Sequence, residues 1–211
     1  MSKYSAVFFD FGGVITSSPF EAFELYEREI GAPTGSVRRV NSINPDDNAW
    51  ARFERSEIDR ATFCDAFDRE AAALDLPLSG AKVLACLSGT PRPQMVRALD
   101  RLRPEYTIAC LTNNVAGIQR SPEAEAEISA IMKRFHHIVA SSEAGVRKPE
   151  EAFYRIALEQ SGVTAEETIF LDDLGVNLKT ARAMGMTTIK VGAAEPALAE
   201  LGALLGVDLL T

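Results

Sequence analysis

The chain turns apolar at Ala6-Val7-Phe8-Phe9, stops on an acid, Asp10, and continues as Phe11-Gly12-Gly13-Val14. Four β-prone apolar residues in a row predict a strand buried on both faces, as in a parallel sheet, rather than the in-and-out alternation of a half-exposed strand. Similar runs return over residues 106–112, 137–140, 168–171 and 187–191. Between the later runs the apolar positions change to helical spacing. One such stretch opens at Glu151 and carries Phe153, Ile156, Ala157 and Leu158; another covers 176–184 and stops at Gly185, a residue suited to a helix C-cap. Strand-helix-strand alternation predicts an α/β fold with a Rossmann-like parallel sheet covered on both faces. Residues 195–205 predict an Ala/Leu-rich helix that docks onto it.

Residues 18–87 break this rhythm and show no clear strand. A helix is expected over 21–30, with Phe23, Leu25, Tyr26 and Ile30 among its apolar positions. A second helix or helix-turn carries Trp50, Phe53 and Ile58. A third covers 63–74, with Phe67 and a run of alanines, and Pro33, Gly35, Pro45, Pro77 and Gly80 punctuate the three. The expected organisation is an α/β core domain from 1–17 and 88–211, and an inserted all-α domain from 18–87, within the size range of a small domain. Because the insert leaves from the end of the first strand, it is expected to sit over Asp10.

Charge and cysteine usage narrow the partners. The formal net charge is -8 and no basic run stands out, so a nucleic-acid partner is excluded on electrostatic grounds. Cys64, Cys86 and Cys110 are odd in number and form no Cys-x-x-Cys pair, which predicts a reducing compartment without a disulfide framework. No apolar stretch reaches about 18 residues and no charged segment leads into one, so neither a membrane span nor a signal peptide is expected, and the default location is the cytoplasm. Monomer and homodimer both remain open.

Polar residues of complementary type stand where the predicted strands end. The first strand ends at Asp10 and the second at Thr112-Asn113-Asn114. Arg147-Lys148-Pro149 follows the third, and Asp172-Asp173 follows the fourth. In a parallel sheet these ends face one side. Three neighbouring carboxylates do not all stay ionised without a cation between them. Mg²⁺ suits carboxylates, a backbone carbonyl and a phosphate oxygen. Lys148 offers a point charge to a phosphate and Thr112 a hydroxyl donor, while backbone N–H groups after Asp10 complete an anion nest. A phosphoryl group so neutralised is open to in-line attack by an Asp10 carboxylate oxygen. Each segment also has a plain structural reading. Asp10 can cap the following turn, Asp172-Asp173 can favour a helix N-terminus, Lys148-Pro149 can start a helix, and Thr112-Asn113-Asn114 can be turn chemistry. His136-His137 reads as structural, Trp50 and Phe53 as insert core, and Ser17-Ser18 as linker.

Taken in order, Val7-Phe8-Phe9-Asp10-Phe11-Gly12-Gly13-Val14, Leu111-Thr112-Asn113-Asn114, Gly145-Val146-Arg147-Lys148-Pro149 and Ile169-Phe170-Leu171-Asp172-Asp173 with Asn177 resemble the haloacid dehalogenase (HAD) superfamily, in the subgroup with a helical cap after the first strand. The likeness is greatest to its sugar-phosphatase-like members and to the phosphatase domain attached to some epoxide hydrolases. It implies that Asp10 is the nucleophile, forming an aspartyl-phosphate, and a Mg²⁺ ligand. The Gly12 carbonyl would be a second ligand, and Asp173 the main further acid with Asp172 beside it. Thr112, Asn113 and Lys148 would bind the phosphate, Asn177 would brace the acid pair, and residues 18–87 would be the cap. One position departs from the pattern: Gly12 stands where most phosphatases of the family carry a second Asp that protonates the leaving group and then activates water. Glu54 or Asp47 of the insert, or a metal-bound water, are the replacements considered. The expected function is a Mg²⁺-dependent phosphatase acting on a small phosphorylated metabolite. The alternatives are a metal-independent 2-haloacid dehalogenase, against which Asp172-Asp173 speaks, and a catalytically weak binding or regulatory protein, for which Gly12 speaks.

Overall fold

The computed structural model describes residues 3–114 and 120–210. Five strands, β1 (Ala6–Phe9), β2 (Thr107–Thr112), β3 (His137–Ala140), β4 (Thr168–Asp172) and β5 (Thr187–Lys190), form one sheet in the order β3-β2-β1-β4-β5, every pairing parallel. The first strand therefore lies in the middle. Phe9 is in register with Cys110 on one side and Leu171 on the other. Chain order runs outward from β1 in both directions, which makes its C-terminal end the switch point where open α/β sheets bind ligands.

The apolar run of β1 is continuous because both faces are covered. Val7 and Phe9 point into a cluster with Met95, Leu99, Leu198 and Leu201; Ala6 and Phe8 point into another with Phe153, Tyr154, Leu178 and Ala181. This is the two-residue period of a strand resolved into two cores.

Between β1 and the helix that leads back into the sheet (Pro93–Leu102) lie five helices: α1 (Pro19–Glu29), α2 (Ser36–Ser42), α3 (Ala49–Glu54), α4 (Arg60–Ala72) and α5 (Gly80–Ala85). They pack around their own apolar cluster, which includes Phe23, Phe53, Phe63 and Phe67, with Trp50 against it. The Phe53 and Phe63 rings stack at 4.7 Å, and Trp50 meets Phe63 edge-on at 5.6 Å. Ile58 falls outside α3, because the chain leaves the helix at Arg55 and Ser56 adopts φ 57°. The pattern reading passed over α2 and α5, and Gly80, read there as punctuation, opens α5.

The remaining helices are α6 (Pro93–Leu102), α7 (Pro122–Met132), α8 (Ser141–Ala144), α9 (Glu151–Ser161), α10 (Gly175–Ala183) and α11 (Ala194–Leu205). Among the described residues, no helix is long and apolar enough to cross a membrane.

Candidate active site

Asp10 sits one residue beyond β1, and its N–H donates to the Leu171 carbonyl at 2.8 Å, so sheet pairing fixes where it lies. The chain then makes a tight turn over Phe11–Ile15, closed by the Thr16 N–H donating to the Phe11 carbonyl at 3.0 Å, and Asp10 Oδ1 accepts the Phe11 N–H at 2.6 Å. The capping role considered for Asp10 is real, and it aims the carboxylate along the sheet rim. The two glycines of this turn differ. Gly12 has φ −69° and ψ 130°, open to any residue, and a Cβ there would meet nothing within 4 Å. Gly13 has φ +78°, and a Cβ there would lie 2.2 Å from Asp173 Oδ2. Only Gly13 is demanded by the local geometry.

Lys148 is the site's central cation. It is 1% exposed, and its Nζ lies 2.8 Å from both Asp10 Oδ1 and Asp172 Oδ2. The ammonium also stands 5.5 Å from the centroid of the Phe170 ring. Its backbone is held by the Asn113 carboxamide in both directions: Asn113 Oδ1 accepts the Lys148 N–H at 2.8 Å, and Asn113 Nδ2 donates to the Lys148 carbonyl at 2.9 Å. The Lys148–Pro149 peptide is cis. Lys148 is thus a buried group of the rim, and the helix after it begins at Glu151 rather than at Pro149.

Asp172 and Asp173 divide their work. Asp172 is fully buried, and its oxygens accept from Lys148 Nζ, Asn177 Nδ2 and the Leu174 N–H. Asn177 thus braces Asp172 specifically, and its own carbonyl accepts the Tyr154 hydroxyl at 2.9 Å. Asp173 turns the other way, toward Gly13 and the Ser18 hydroxyl, which donates to its Oδ2 at 3.4 Å. Carboxylate oxygens of Asp10, Asp172 and Asp173 lie within 4.8 Å of one another. Thr112, 8% exposed, ends β2 at the same rim, in register with Ala140.

The electrostatics show a site short of positive charge. Burial alone would lower the Lys148 pKa, but Asp10 and Asp172 outweigh it and hold the ammonium above its ordinary range. Burial pushes Asp10 up against the pull of Lys148, and Asp172 and Asp173 add to the rise, to about 8. Burial and the Asp172 charge push Asp173 to about 6. One ammonium among three carboxylates is too little, and the donor set is made of hard oxygens at a partly open rim. That set fits Mg²⁺, with Asp10, Asp173 and the Gly12 carbonyl as the groups that would hold it.

The helical insert reaches this rim through Glu54, which is 7% exposed. Its Oε1 accepts the Trp50 indole N–H at 2.8 Å, and its Oε2 accepts from Arg147 Nη1 at 2.7 Å and from Asn113 Nδ2 at 3.2 Å. Arg147 also donates to the Pro45 carbonyl, and Arg55 pairs with Glu150. Asp47, the other insert acid considered, is exposed. Sequence reading singled out Glu54 but not Arg147's role as its partner; a buried acid reaching across 93 residues leaves no local signal.

The plain readings hold elsewhere. His136 Nδ1 accepts the Ile108 N–H at 3.0 Å, and Cys110 is buried in the sheet core, where burial pushes its thiol pKa up. Ser17 accepts the Thr90 N–H, and Ser18 caps α1 as well as reaching Asp173.

Comparison with known proteins agrees with this geometry. The family of haloacid dehalogenase-like hydrolases matches residues 4–185. Acyl-CoA dehydrogenase family member 10 of Mus musculus is 34% identical over 213 residues, which take in 98% of this chain and 20% of that protein, so the chain spans about a fifth of its length. The sesquiterpene phosphatase astK of Aspergillus oryzae is 27% identical over 97% of this chain and 98% of its own. Among solved structures, a HAD family enzyme of Bacteroides thetaiotaomicron, in complex with magnesium and inorganic phosphate, shares the fold. Its TM-score is 0.61 at 20% identity, over 91% of this chain and 96% of that one.

Proposed function

The chain belongs to the haloacid dehalogenase-like hydrolases, and we propose that within this family it is a Mg²⁺-dependent phosphatase of a small phosphorylated metabolite, working through an aspartyl-phosphate on Asp10. The observation that carries this reading is the rim itself: three carboxylates come within 4.8 Å of one another around one buried ammonium, which pairs with Asp10 and Asp172 and leaves Asp173 without a cation among the described residues. When bound, Mg²⁺ would offset the surplus negative charge and polarise a phosphoryl oxygen. Asp10 Oδ1 is fixed by the Phe11 N–H and Lys148. Among the described residues no hydrogen bond reaches Oδ2, which is the oxygen we assign to attack on phosphorus. Lys148 and Thr112 hold the phosphoryl oxygens. Asp172 keeps Lys148 charged and in place, Asn177 orients Asp172, and Asn113 fixes the Lys148 backbone beside the phosphate. Helices α1–α5, with their own core and the Glu54–Arg147 link, serve as a cap over residues 18–87 that excludes water. The phosphatase named among the relatives and the phosphate complex of the Bacteroides enzyme support the same reading.

A metal-independent 2-haloacid dehalogenase would bring an anionic substrate to a rim already overcharged with carboxylates, which argues against it. The deciding experiment measures phosphate release from a panel of phosphorylated metabolites with Mg²⁺ and with EDTA, beside an Asp10→Asn control. Release that needs both Mg²⁺ and Asp10 is expected. Chloride release from 2-chloropropionate unaffected by EDTA, with no phosphate release, would overturn the proposal.

A further inference from the structure

The weak link in that reaction is the departure of the leaving group, and we infer that the substrates are phosphates of acidic hydroxyls (phenols, enols or carboxylic acids), whose oxygen leaves without being protonated. The inference rests on the phosphatase reading and narrows it. It comes from an inventory of the acidic groups around Asp10 among the described residues, in which Asp173 is a metal ligand on the proposed reading and the Lys148 ammonium is held between Asp10 and Asp172. Glu54 is the insert carboxyl that reaches the rim, and each of its oxygens accepts a hydrogen bond, from Trp50, or from Arg147 and Asn113. Burial raises the Glu54 pKa against the pull of Arg147, but both oxygens are turned to protein donors, with the guanidinium at 2.7 Å, so the carboxyl has no free edge to present to a leaving group. Asp172 is likewise filled by Lys148, Asn177 and the Leu174 N–H. The Tyr154 hydroxyl is spent on the Asn177 carbonyl within the core. Asp47 lies exposed on the insert. Residues 115–119, outside the described part, are Val-Ala-Gly-Ile-Gln and carry no titratable side chain.

Gly12 completes the argument. Its backbone tolerates any side chain, and the place a Cβ would take meets nothing within 4 Å. Among the described residues, no side chain comes within 4 Å of the space beside Gly12 that a Cβ would take. In the first step Asp10 Oδ2 forms a P–O bond while the ester P–O bond breaks, and its electron pair departs on the leaving oxygen. That oxygen leaves as an anion and is protonated by bulk water afterwards. In the second step a water oxygen bonds to phosphorus while the Asp10 Oδ2–P bond breaks, the water's proton passes to bulk solvent, inorganic phosphate leaves and the Asp10 carboxylate is restored. With no carboxylate base at position 12 to activate that water, the aspartyl-phosphate persists and a burst of leaving group precedes steady turnover.

The test reads kcat/KM with Mg²⁺ across aryl phosphates from 4-nitrophenyl to phenyl phosphate, and for an alkyl phosphate, in the wild-type protein and in Gly12→Asp. General acid catalysis is worth about 10²–10⁴-fold, so wild-type kcat/KM should fall by about that factor from the most acidic to the alkyl leaving group. Gly12→Asp should raise the alkyl rate by at least ~10²-fold and flatten the series. Turnover with equal kcat/KM across the wild-type series would sink this inference and leave the phosphatase reading standing. If no substrate is turned over above an Asp10→Asn control, both fall together. Should Gly12→Asp fail to fold, the wild-type series alone decides.

Discussion

Two adjacent glycines make opposite predictions on replacement by alanine. At Gly13 the backbone holds φ +78°, a left-handed conformation that costs an L-residue about 1–2 kcal/mol. The new methyl would also lie 2.2 Å from Asp173 Oδ2 and 2.5 Å from its Cγ, so one of the two must move. Asp173 is half-buried, and the side-chain partner that holds it among the described residues is the Ser18 hydroxyl at 3.4 Å, so it is the group that swings away. The steric cost is thereby relieved at the expense of the metal-binding geometry. Gly13→Ala should lose only about 1–2 kcal/mol of stability, yet at least ~10²-fold in Mg²⁺-dependent rate, because misplacement by about an ångström suffices for that. Gly12→Ala meets nothing, keeps an ordinary φ and should be neutral or up to about 1 kcal/mol more stable, through a less flexible unfolded chain. Urea midpoints report the stabilities, and Mg²⁺ titration calorimetry with steady-state rates reports the site. Equal losses in both variants, or an unchanged Mg²⁺ affinity in Gly13→Ala, would refute the reasoning.

Three further outcomes are expected. Lys148→Met leaves Asp10 and Asp172 without their buried cation, so activity should vanish and stability should fall by about 3–5 kcal/mol; a midpoint no lower than that of the exposed-site variant Lys179→Met would contradict this. In the metal-free protein Asp10 and Asp173 bind protons more tightly folded than unfolded, with pKa values raised from 3.8 to about 8 and about 6. The folded state therefore holds more protons across that window, so stability falls as pH rises through it, and Mg²⁺ should raise the melting temperature more at pH 8 than at pH 5; a shift independent of pH counts against the site. Glu54→Ala leaves Arg147 without its buried partner and Asn113 without one acceptor, so the melting midpoint should drop by the equivalent of about 3 kcal/mol and kcat should fall as the Lys148 clamp loosens; a wild-type kcat would show that Glu54 acts on the insert alone.

The sheet and its reactive edge were legible in the chain because both follow from local backbone rules. An unbroken apolar run marks a strand covered on both faces, and β1 and β3 begin and end where those runs do. Once the strands are parallel, Asp10, Thr112 and the Asp172-Asp173 pair must share one rim, since a parallel sheet has a single C-terminal edge; Lys148, eight residues past β3 and beyond α8, reaches that rim by packing. The short helices α2 and α5, of seven and six residues, were not legible, because two turns or fewer give the apolar period too little length to repeat. Three features waited for the tertiary structure. Gly12 and Gly13 look alike as letters, and only the approach of Asp173 from another strand makes one indispensable and leaves room at the other. Asp172 and Asp173 look like a pair, yet successive residues at a strand end face opposite ways, so one locks Lys148 and the other faces Gly13. Glu54 and Asp47 stand as equal candidates in the chain until folding carries Glu54 across 59 residues to Asn113 and 93 to Arg147. Periodicity reports which side of a helix or strand is buried; which distant group waits on that side is settled by packing.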